Sequence, residues 1–349
     1  MPPKKKVSQQ KIAKDLGISQ ALVSLALNGL KDGINAETYQ TIWDHALKMG
    51  YTPKGMILQQ TPAHSRQKQV GFILRAGLTL HNQGSYFGCV LHGLHTELAA
   101  KGFAAVFIGS EDTLDRSRLE SFFPTGHSLK GVVMLGEVSP AFIKDLRHYE
   151  RRLVAVSARH PGLCHSVIGN ESQSLELLVE QLHSQGHRRF GWLGGNVTLK
   201  RHQMRFEAFG EALRQRNLKL QERYNVRLTQ GDRSEGSDAM LSLLPHAKRK
   251  DFPTAFICYN TLMAAGATKA LLREGWAVPG DCSIAGADNS ALAFAESPRV
   301  TVAGSDAEKL GAAAARIILE STGDQDESFN DLILPAQLLI GETTGPAPA

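Results

Sequence analysis

The 349-residue sequence has few of the features that mark specialised protein classes. Its four cysteines show no Cys-x-x-Cys spacing, which argues against a structural zinc site and against a disulfide framework. No run approaches the roughly 18 consecutive apolar residues of a membrane-spanning helix, and the N-terminus lacks the apolar core of a signal peptide. Neither a phosphate-binding G-x-G-x-x-G pattern nor a nucleophile with a partner base stands out. We therefore expect a cytoplasmic, non-membrane protein that is not an enzyme and carries no metal or other cofactor.

The charge of the chain is modest and unevenly placed. The formal net charge is +5 and the pI is about 9.0, which fits a polyanionic partner but is also common among ordinary proteins. Basic residues crowd the N-terminal segment, namely Lys4, Lys5, Lys6, Lys11 and Lys14. A solvated tail explains the first three of these equally well.

Residues 8 to 27 have the pattern of a helix-turn-helix. Ser8 can cap a helix from Gln9 to Leu16, and Gly17 can adopt the left-handed conformation that ends it. Ser19 can then cap a second helix, which would carry Gln20, Ala21 and Ser24 on its outward face, where a recognition helix meets base edges. A third helix is predicted from the cap Asn35 to about Met49, with an inner stripe of Tyr39, Ile42, Trp43, Ala46 and Leu47.

The rest of the chain alternates short β-branched runs with amphipathic helices. The strand candidates begin with Val70 to Leu74 and end with Ser283 to Ala287, and the last helix candidate is Ala307 to Glu320. This alternation predicts parallel sheets with helices on both faces. Ligands in such sheets bind at the carboxyl ends of the strands.

Several motifs in order along the chain resemble the lactose-repressor/galactose-repressor family of bacterial regulators. They are Ile18-Ser19 with Val23-Ser24 and Leu27-Asn28, Tyr51-Thr52-Pro53, the strand Gln69 to Leu74, Gly186-His187-Arg188-Arg189-Phe190, and Ser283 to Asn289. The resemblance implies a small all-α helix-turn-helix headpiece plus an α/β periplasmic-binding-protein-like body of two Rossmann-like lobes with parallel sheets. It implies a DNA-binding transcriptional regulator, a repressor, that acts as a homodimer on double-stranded operator DNA and responds to a small molecule held between the lobes. No heptad helix follows Pro335, so a tetramer is not indicated.

The domain boundaries follow from the same resemblance. The headpiece is expected at residues 1–54, the hinge or linker at 55–67, and the effector-binding and dimerisation body at 68–349. Within the body, the N-lobe is expected at about 68–169 and 300–328 and the C-lobe at about 170–299 and 329–345, with crossovers near Asn170, Val300 and Phe329. The expected DNA-binding residues are Ser8, Gln9, Ser19, Gln20, Ala21, Ser24, Asn28, Tyr51, Lys54 and Leu58.

The expected effector-binding residues come from two sources. Asp288, Asn260, Arg205 and Asn170 stand where the family has residues of its ligand cleft or first crossover, and Phe87 is expected to line the same cleft. Arg75, Arg201 and Arg233 are instead additional cations placed near the cleft. Because clustered guanidinium groups are costly to desolvate without an anion, they suggest a sugar acid or sugar phosphate rather than a neutral sugar. The alternative is that these arginines pair with Glu or Asp, or point to water.

The head departs from the family at positions that usually determine the operator sequence. Leu22 and Leu25 stand where threonine and arginine are common, and Gln60 stands where a leucine wedges into the minor groove. Gln20 is therefore the best candidate for reading a base. Two rival functions stay open at this level: a sugar-binding protein without DNA regulation, and a nucleotide-dependent enzyme on the same α/β layout.

Overall fold

The computed structural model describes residues 8–27, 34–35, 38–39, 41–42, 45–46, 49, 68–78, 86–123, 129–323 and 328–348. The chain divides into two compact units, Met1–Arg66 and Gln67–Ala349. We call them the head and the body. No helix in these described ranges is both long and apolar enough to cross a membrane.

Two capped helices begin the head, α1 (Gln9–Leu16) and α2 (Gln20–Leu27). The Ser8 hydroxyl accepts a hydrogen bond from the Lys11 amide at 3.2 Å, and the Ser19 hydroxyl accepts one from the Leu22 amide at 3.2 Å. Gly17 has φ 68°, the left-handed conformation that a side chain disfavours. The predicted helix bounds, caps and turn are therefore confirmed.

The head has a hydrophobic core of its own. Its buried members come from both helices and from helical residues 42 and 46: Ile12, Ala13, Val23, Ala26, Leu27, Ile42 and Ala46. Leu16, Leu22 and Tyr39 pack against this core, whereas Trp43 and Leu47 of the predicted stripe lie outside the described residues. Leu25 of α2 is 42% exposed and is not a member of the buried cluster. Its position faces away because Val23, Ala26 and Leu27 occupy the inner side of the same short helix.

Two six-stranded sheets form the framework of the body. The first has the order β11-β5-β4-β3-β1-β2 and is parallel throughout. The second has the order β12-β10-β9-β8-β6-β7 and is parallel except for β12, which runs antiparallel to β10. The strands are β1 (Lys68–Leu74), β2 (Phe103–Ser110), β3 (Leu129–Leu135), β4 (Leu153–Val156), β5 (His165–Gly169), β6 (Phe190–Gly194), β7 (Asn225–Arg227), β8 (Ala255–Cys258), β9 (Ser283–Gly286), β10 (Thr301–Ser305), β11 (Asp331–Leu334) and β12 (Ala336–Leu339).

Helices cover both sheets, as the alternating pattern predicted. They are α3 (Tyr86–Ala100), α4 (Arg116–Phe122), α5 (Pro140–Leu146), α6 (Glu171–Ser184), α7 (Lys200–Arg214), α8 (Arg233–Leu243), α9 (Thr261–Arg273), α10 (Leu292–Ala295) and α11 (Ala307–Glu320). In the N-lobe, which we define by the first sheet, α3 and α11 touch backbone to backbone. A Cβ atom at Gly93 would lie 1.9 Å from the Glu308 carbonyl oxygen, so only glycine permits this approach.

The sheets correct the predicted lobe boundaries. Strand β10 (Thr301–Ser305) belongs to the second sheet, so the chain returns to the N-lobe after Ser305 and not near Val300. Strand β11 belongs to the first sheet, so the last crossover falls at Pro335 and not near Phe329. The predicted ranges 300–328 for the N-lobe and 329–345 for the C-lobe are therefore wrong at their ends. The chain passes to the other lobe only at the end of a strand. The predicted boundaries were misplaced because β10 and β11 were not among the predicted strands.

All three crossovers are joined by one hydroxyl group. The Ser305 hydroxyl accepts a hydrogen bond from the Asn170 amide at 3.2 Å and donates one to the Leu334 carbonyl oxygen at 2.7 Å. The Asn170 amide also reaches the Leu334 carbonyl oxygen at 3.0 Å. These contacts fix the axis about which the two lobes meet, and they place the candidate cleft beside it.

Candidate functional sites

A cavity of about 320 Å³ opens between the lobes, beyond the carboxyl ends of β1, β6, β8 and β9. That is the position at which parallel α/β sheets bind ligands. Its lining includes Arg75, Phe87, Glu137, Ser157, Asn196, Arg201, Arg205, Asp232, Tyr259, Asn260 and Asp288. Six of the eight predicted effector residues meet here, namely Arg75, Phe87, Arg201, Arg205, Asn260 and Asp288; Asn170 and Arg233 do not.

Asp288 lies just beyond β9 and is 7% exposed. Its Oδ1 atom accepts hydrogen bonds from the amide and the hydroxyl of Thr261, the first residue of α9, with the amide at 2.8 Å. In the described part of the chain no hydrogen-bond donor reaches Oδ2. The carboxylate is thus fixed by one oxygen and can accept hydroxyl or N–H groups of a ligand with the other.

The predicted cluster of cleft arginines is largely neutralised within the protein. Glu171, the first residue of α6, binds Arg201 Nε through Oε1 and Arg205 Nε through Oε2, each at 2.6 Å. Arg205 also donates to the Tyr259 carbonyl oxygen at 2.5 Å and is 2% exposed. Arg201 and Arg205 therefore follow the alternative expectation, in which the cleft arginines pair with an acidic side chain. No local pattern pointed to Glu171, because a carboxylate at the start of a helix is common for other reasons.

Burial and ion pairing have opposite effects on the ionisation of Glu171 and Arg201. We call these two residues and Arg205 the triad. Burial of Glu171 favours its neutral form, but the attraction of Arg201 and Arg205 and their hydrogen bonds outweigh this, and its pKa lies below the ordinary value. Burial likewise opposes the charged form of Arg201, yet Glu171 keeps the pKa of Arg201 well above its ordinary value. Two guanidinium groups thus share one carboxylate, so the formal charge of the three side chains is +1.

Arg75 is the third arginine of the cleft. Among the residues that the structure describes, no carboxylate lies within ion-pair distance of it. Its guanidinium donates to the Ala76 carbonyl oxygen at 3.0 Å and to Asn196 Oδ1 at 3.4 Å, both of them uncharged acceptors. Burial lowers the pKa of Arg75, although the nearby Tyr259 and Glu137 partly oppose that effect. The N-lobe wall of the cavity thus presents a partly desolvated cation without a matching anion.

Arg233 is not part of the cleft, which corrects its assignment. It is the first residue of α8, it forms an ion pair with Glu296, and its side chain is 40% exposed. The hydrogen bond that Arg233 donates to Glu296 raises the pKa of Arg233. Its neighbour Asp232 lines the cavity instead, since that residue caps α8 by accepting from the Glu235 amide at 2.9 Å.

The two predicted asparagines act first as helix caps. Asn170 Oδ1 accepts from the Gln173 amide at 3.0 Å, and the structure does not bring Asn170 into the lining of the cavity. Asn260 Oδ1 accepts from the Met263 amide at 2.8 Å, and its Nδ2 donates to the Gly231 carbonyl oxygen at 2.7 Å. Asn260 borders the cavity, but both ends of its amide are already engaged.

Contacts between the lobes converge on the start of α7, and sequence reasoning missed them. The Lys200 amide donates to Glu137 Oε2 of the N-lobe at 2.9 Å, which caps a helix whose own Leu199 offers no side-chain cap. The Arg201 guanidinium lies 4.7 Å from the Tyr86 ring centroid and donates to the Tyr86 hydroxyl at 3.3 Å. No local pattern could reveal these partners, since they lie on the opposite lobe.

The outer face of the head contains the predicted base-reading residues that the structure describes. Gln20 and Ala21 are exposed at the start of α2, and Ser24 is half-buried. On α1, Ser8, Lys11 and Lys14 are exposed and Gln9 is half-buried. Asn28, Tyr51, Lys54, Leu58 and the hinge at 55–67 lie outside the described residues.

Comparison with known proteins covers both units. A family model described as a periplasmic binding protein-like domain matches residues 179–344. The transcriptional repressor PurR of Yersinia enterocolitica, a helix-turn-helix protein by its name, is 25% identical over 315 residues, which are 88% of each chain. These matches support the resemblance to the lactose-repressor/galactose-repressor family.

Solved structures of LacI-type regulators share the fold of the chain. The lac repressor dimer bound to operator and to the anti-inducer ONPF has a TM-score of 0.66 at 19% identity, covering 98% of this chain and 100% of its own. A LacI family regulator from Enterococcus faecium with bound ribose has a TM-score of 0.67 at 19% identity, covering 80% of this chain and 99% of its own. The predicted fold class, a helical head followed by a two-lobe α/β body, is confirmed.

Proposed function

We propose that this protein is a DNA-binding transcriptional repressor of the lactose-repressor/galactose-repressor type, whose affinity for its operator is controlled by a small molecule held between the lobes of the body. The observation that carries this function is the combination, in one chain, of a capped helix-turn-helix with a two-lobe body that has a polar cleft. Repressors named as such match along most of its length, which supports regulation and argues against an enzyme. Because its target is DNA, we also propose a cytoplasmic location.

The head supports DNA binding through charge and geometry. Lys11 and Lys14 are exposed on α1, next to the outward face of α2 that carries Gln20 and Ala21. Lysines supply sequence-independent contacts to phosphates, while the recognition helix reads base edges in the major groove. We propose a homodimer, so that two heads meet two half-sites about one helical turn apart.

The cleft supports a ligand with hydroxyl groups at one end and an anionic group at the other. Asp288 Oδ2 is available on the C-lobe side, and Arg75 lacks a carboxylate partner on the N-lobe side. Glu171 already neutralises much of the charge of Arg201 and Arg205, so one anionic group on the ligand suffices. We therefore propose a sugar acid or sugar phosphate as the class of effector, which fits a cavity of about 320 Å³.

DNA binding is tested with duplexes selected from a random library by the purified full-length protein. Their Kd should weaken steeply with added salt, and it should change when a cleft ligand is present. A protein that selects no sequence, with or without candidate ligands, contradicts the repressor function.

The effector class is tested by calorimetric titration with matched pairs of ligands, such as glucose against gluconate and glucose 6-phosphate. The acidic members should bind more tightly, and Arg75→Gln should abolish that preference while Asp288→Asn weakens both members of each pair. Arg233→Gln is the matched control, since it makes the same chemical change outside the cleft and should leave binding unchanged. Tighter binding of the neutral sugars would remove the acidic-effector proposal and leave the regulatory function standing.

A further inference from the structure

The face of α2 that points away from the head core carries no charge. The helix sequence is QALVSLAL, without a lysine, arginine, aspartate or glutamate. Its inner side is filled by Val23, Ala26 and Leu27, and Leu22 packs against the same core. What remains for contact with a partner is Gln20, Ala21, Ser24 and Leu25.

Two members of this outer face are apolar and lie one helical turn apart. Ala21 is exposed, and Leu25 is 42% exposed. Residues four positions apart lie on the same side of a helix, so the two side chains form one apolar strip along the face. A single exposed leucine is common on protein surfaces. A strip on the helix that enters the major groove is different, because it faces a surface whose only apolar group is the thymine C5-methyl.

We propose that Ala21 and Leu25 read thymine by contact with its C5-methyl group, so that the half-site of the operator is specified by methyl groups and not by a guanine-binding cation. Gln20 complements this readout, since a glutamine amide can bind adenine through N6 and N7. The recognition surface is therefore suited to a half-site rich in A·T pairs. This inference rests on the proposed DNA-binding function and specifies the chemistry that the head recognises.

The magnitude follows from the size of one methyl group. Burying a methyl or methylene group contributes about 0.8 kcal/mol, which corresponds to about a fourfold change in Kd. Replacing thymine by deoxyuridine removes this group and keeps every hydrogen-bond donor and acceptor of the base. The substitution therefore isolates the contact on the DNA side and needs no change in the protein.

The experiment starts from the operator selected by the full-length protein. Each thymine of one half-site is replaced in turn by deoxyuridine, and Kd is measured at one fixed salt concentration. We expect about fourfold weaker binding at each of the contacted thymines. In the variant Leu25→Ala, the loss at one of these positions should disappear while the loss at the position facing Ala21 persists, which is the coupling that a direct contact requires.

Two further variants complete the test. Leu241→Ala makes the same truncation at a leucine of α8 that is 41% exposed, so it should retain the full thymine preference. Selection with Leu25→Arg should recover guanine in place of one thymine, because arginine binds guanine O6 and N7. Equal binding of thymine and deoxyuridine operators by the unmodified protein overturns the proposal, as does a thymine preference that Leu25→Ala leaves intact at every position. Failure to select any DNA would instead count against the proposed function itself.

Discussion

Glu171→Gln tests whether the triad of Glu171, Arg201 and Arg205 stabilises the folded body. Glu171 is 8% exposed and supplies one oxygen to each of two arginines, of which Arg205 is 2% exposed. Glutamine keeps the size of the side chain but removes the negative charge. It also points an N–H donor at one guanidinium, which has only donors of its own. Two buried cations are then left without their shared anion.

The expected loss can be estimated from the behaviour of buried ion pairs. Removing one partner of such a pair typically costs about 3–5 kcal/mol, since the remaining charge stays buried without compensation. For a unit as large as the body, a loss of 1 kcal/mol lowers the melting temperature by about 2 °C. Glu171→Gln should therefore lower the melting temperature of the body by about 6–10 °C.

Glu180→Gln is the matched control, because it lies on the same helix α6 and also pairs with an arginine, Arg216. Its side chain is 61% exposed, and an exposed ion pair contributes at most about 1 kcal/mol. Calorimetric melting of the full-length variants in the absence of ligand measures both effects. If the two substitutions lowered the melting temperature equally, the triad would have no special role in stability and our account of the cleft arginines would be wrong.

Three further predictions follow from single contacts. Arg201 and Arg205 hold the pKa of Glu171 below its ordinary value of 4.5, so its contribution to the stability of the body is complete above about pH 4.5 and is lost as the pH falls through the lower, folded-state pKa. Acid unfolding curves of Glu171→Gln should lack this loss of stability, and acid unfolding identical to that of the unmodified protein would contradict the prediction. Gly311→Ala should destabilise the body by about 3 kcal/mol in denaturant melts, because the added Cβ would lie 1.8 Å from the Val90 carbonyl oxygen. The control Gly210→Ala has open space around it and should be neutral or stabilising. If the two substitutions changed the free energy of unfolding equally, the close backbone contact at Gly311 would be refuted. Ser8→Ala should cost α1 about 1 kcal/mol, seen as about fivefold faster hydrogen exchange of its amides, while unchanged exchange would show that the cap is dispensable.

The parts of the fold that the sequence predicted are those with a local cause. Both bounds of α11 (Ala307–Glu320) were correct, because the helical period of its apolar residues can be read within the segment itself. Strands β10, β11 and β12 were missed. Each has only four or five residues, and β10 gains its order from partners far along the chain, such as Val302 beside Leu339.

The candidate site divides in the same way. Asp288 and Arg205 could be placed because they match positions of the family's ligand cleft, but the sequence could not show which groups their charges meet. Glu171 lies 30 and 34 residues from its two arginines, a separation that carries no local signal. Arg233 looked equivalent to Arg75 as a cation after a strand, and only the fold revealed that Glu296, 63 residues away, holds it outside the cleft. Pairing of charges over such distances is a property of the assembled lobes.

We expect effector binding and switching to depend on different walls of the cleft. Asp288 and Arg205 belong to the C-lobe, whereas Arg75 ends the first strand of the N-lobe. A ligand shifts an equilibrium between lobe angles only by the difference in its free energy of binding to the two states. Contacts to Asp288 alone are the same at every lobe angle, so they increase the affinity for the ligand without favouring one lobe angle over another. A contact to Arg75 exists only when the lobes are close enough for one molecule to span them. We therefore expect that the anionic end of the effector, and not its hydroxyl groups, determines how strongly ligand binding is coupled to operator affinity.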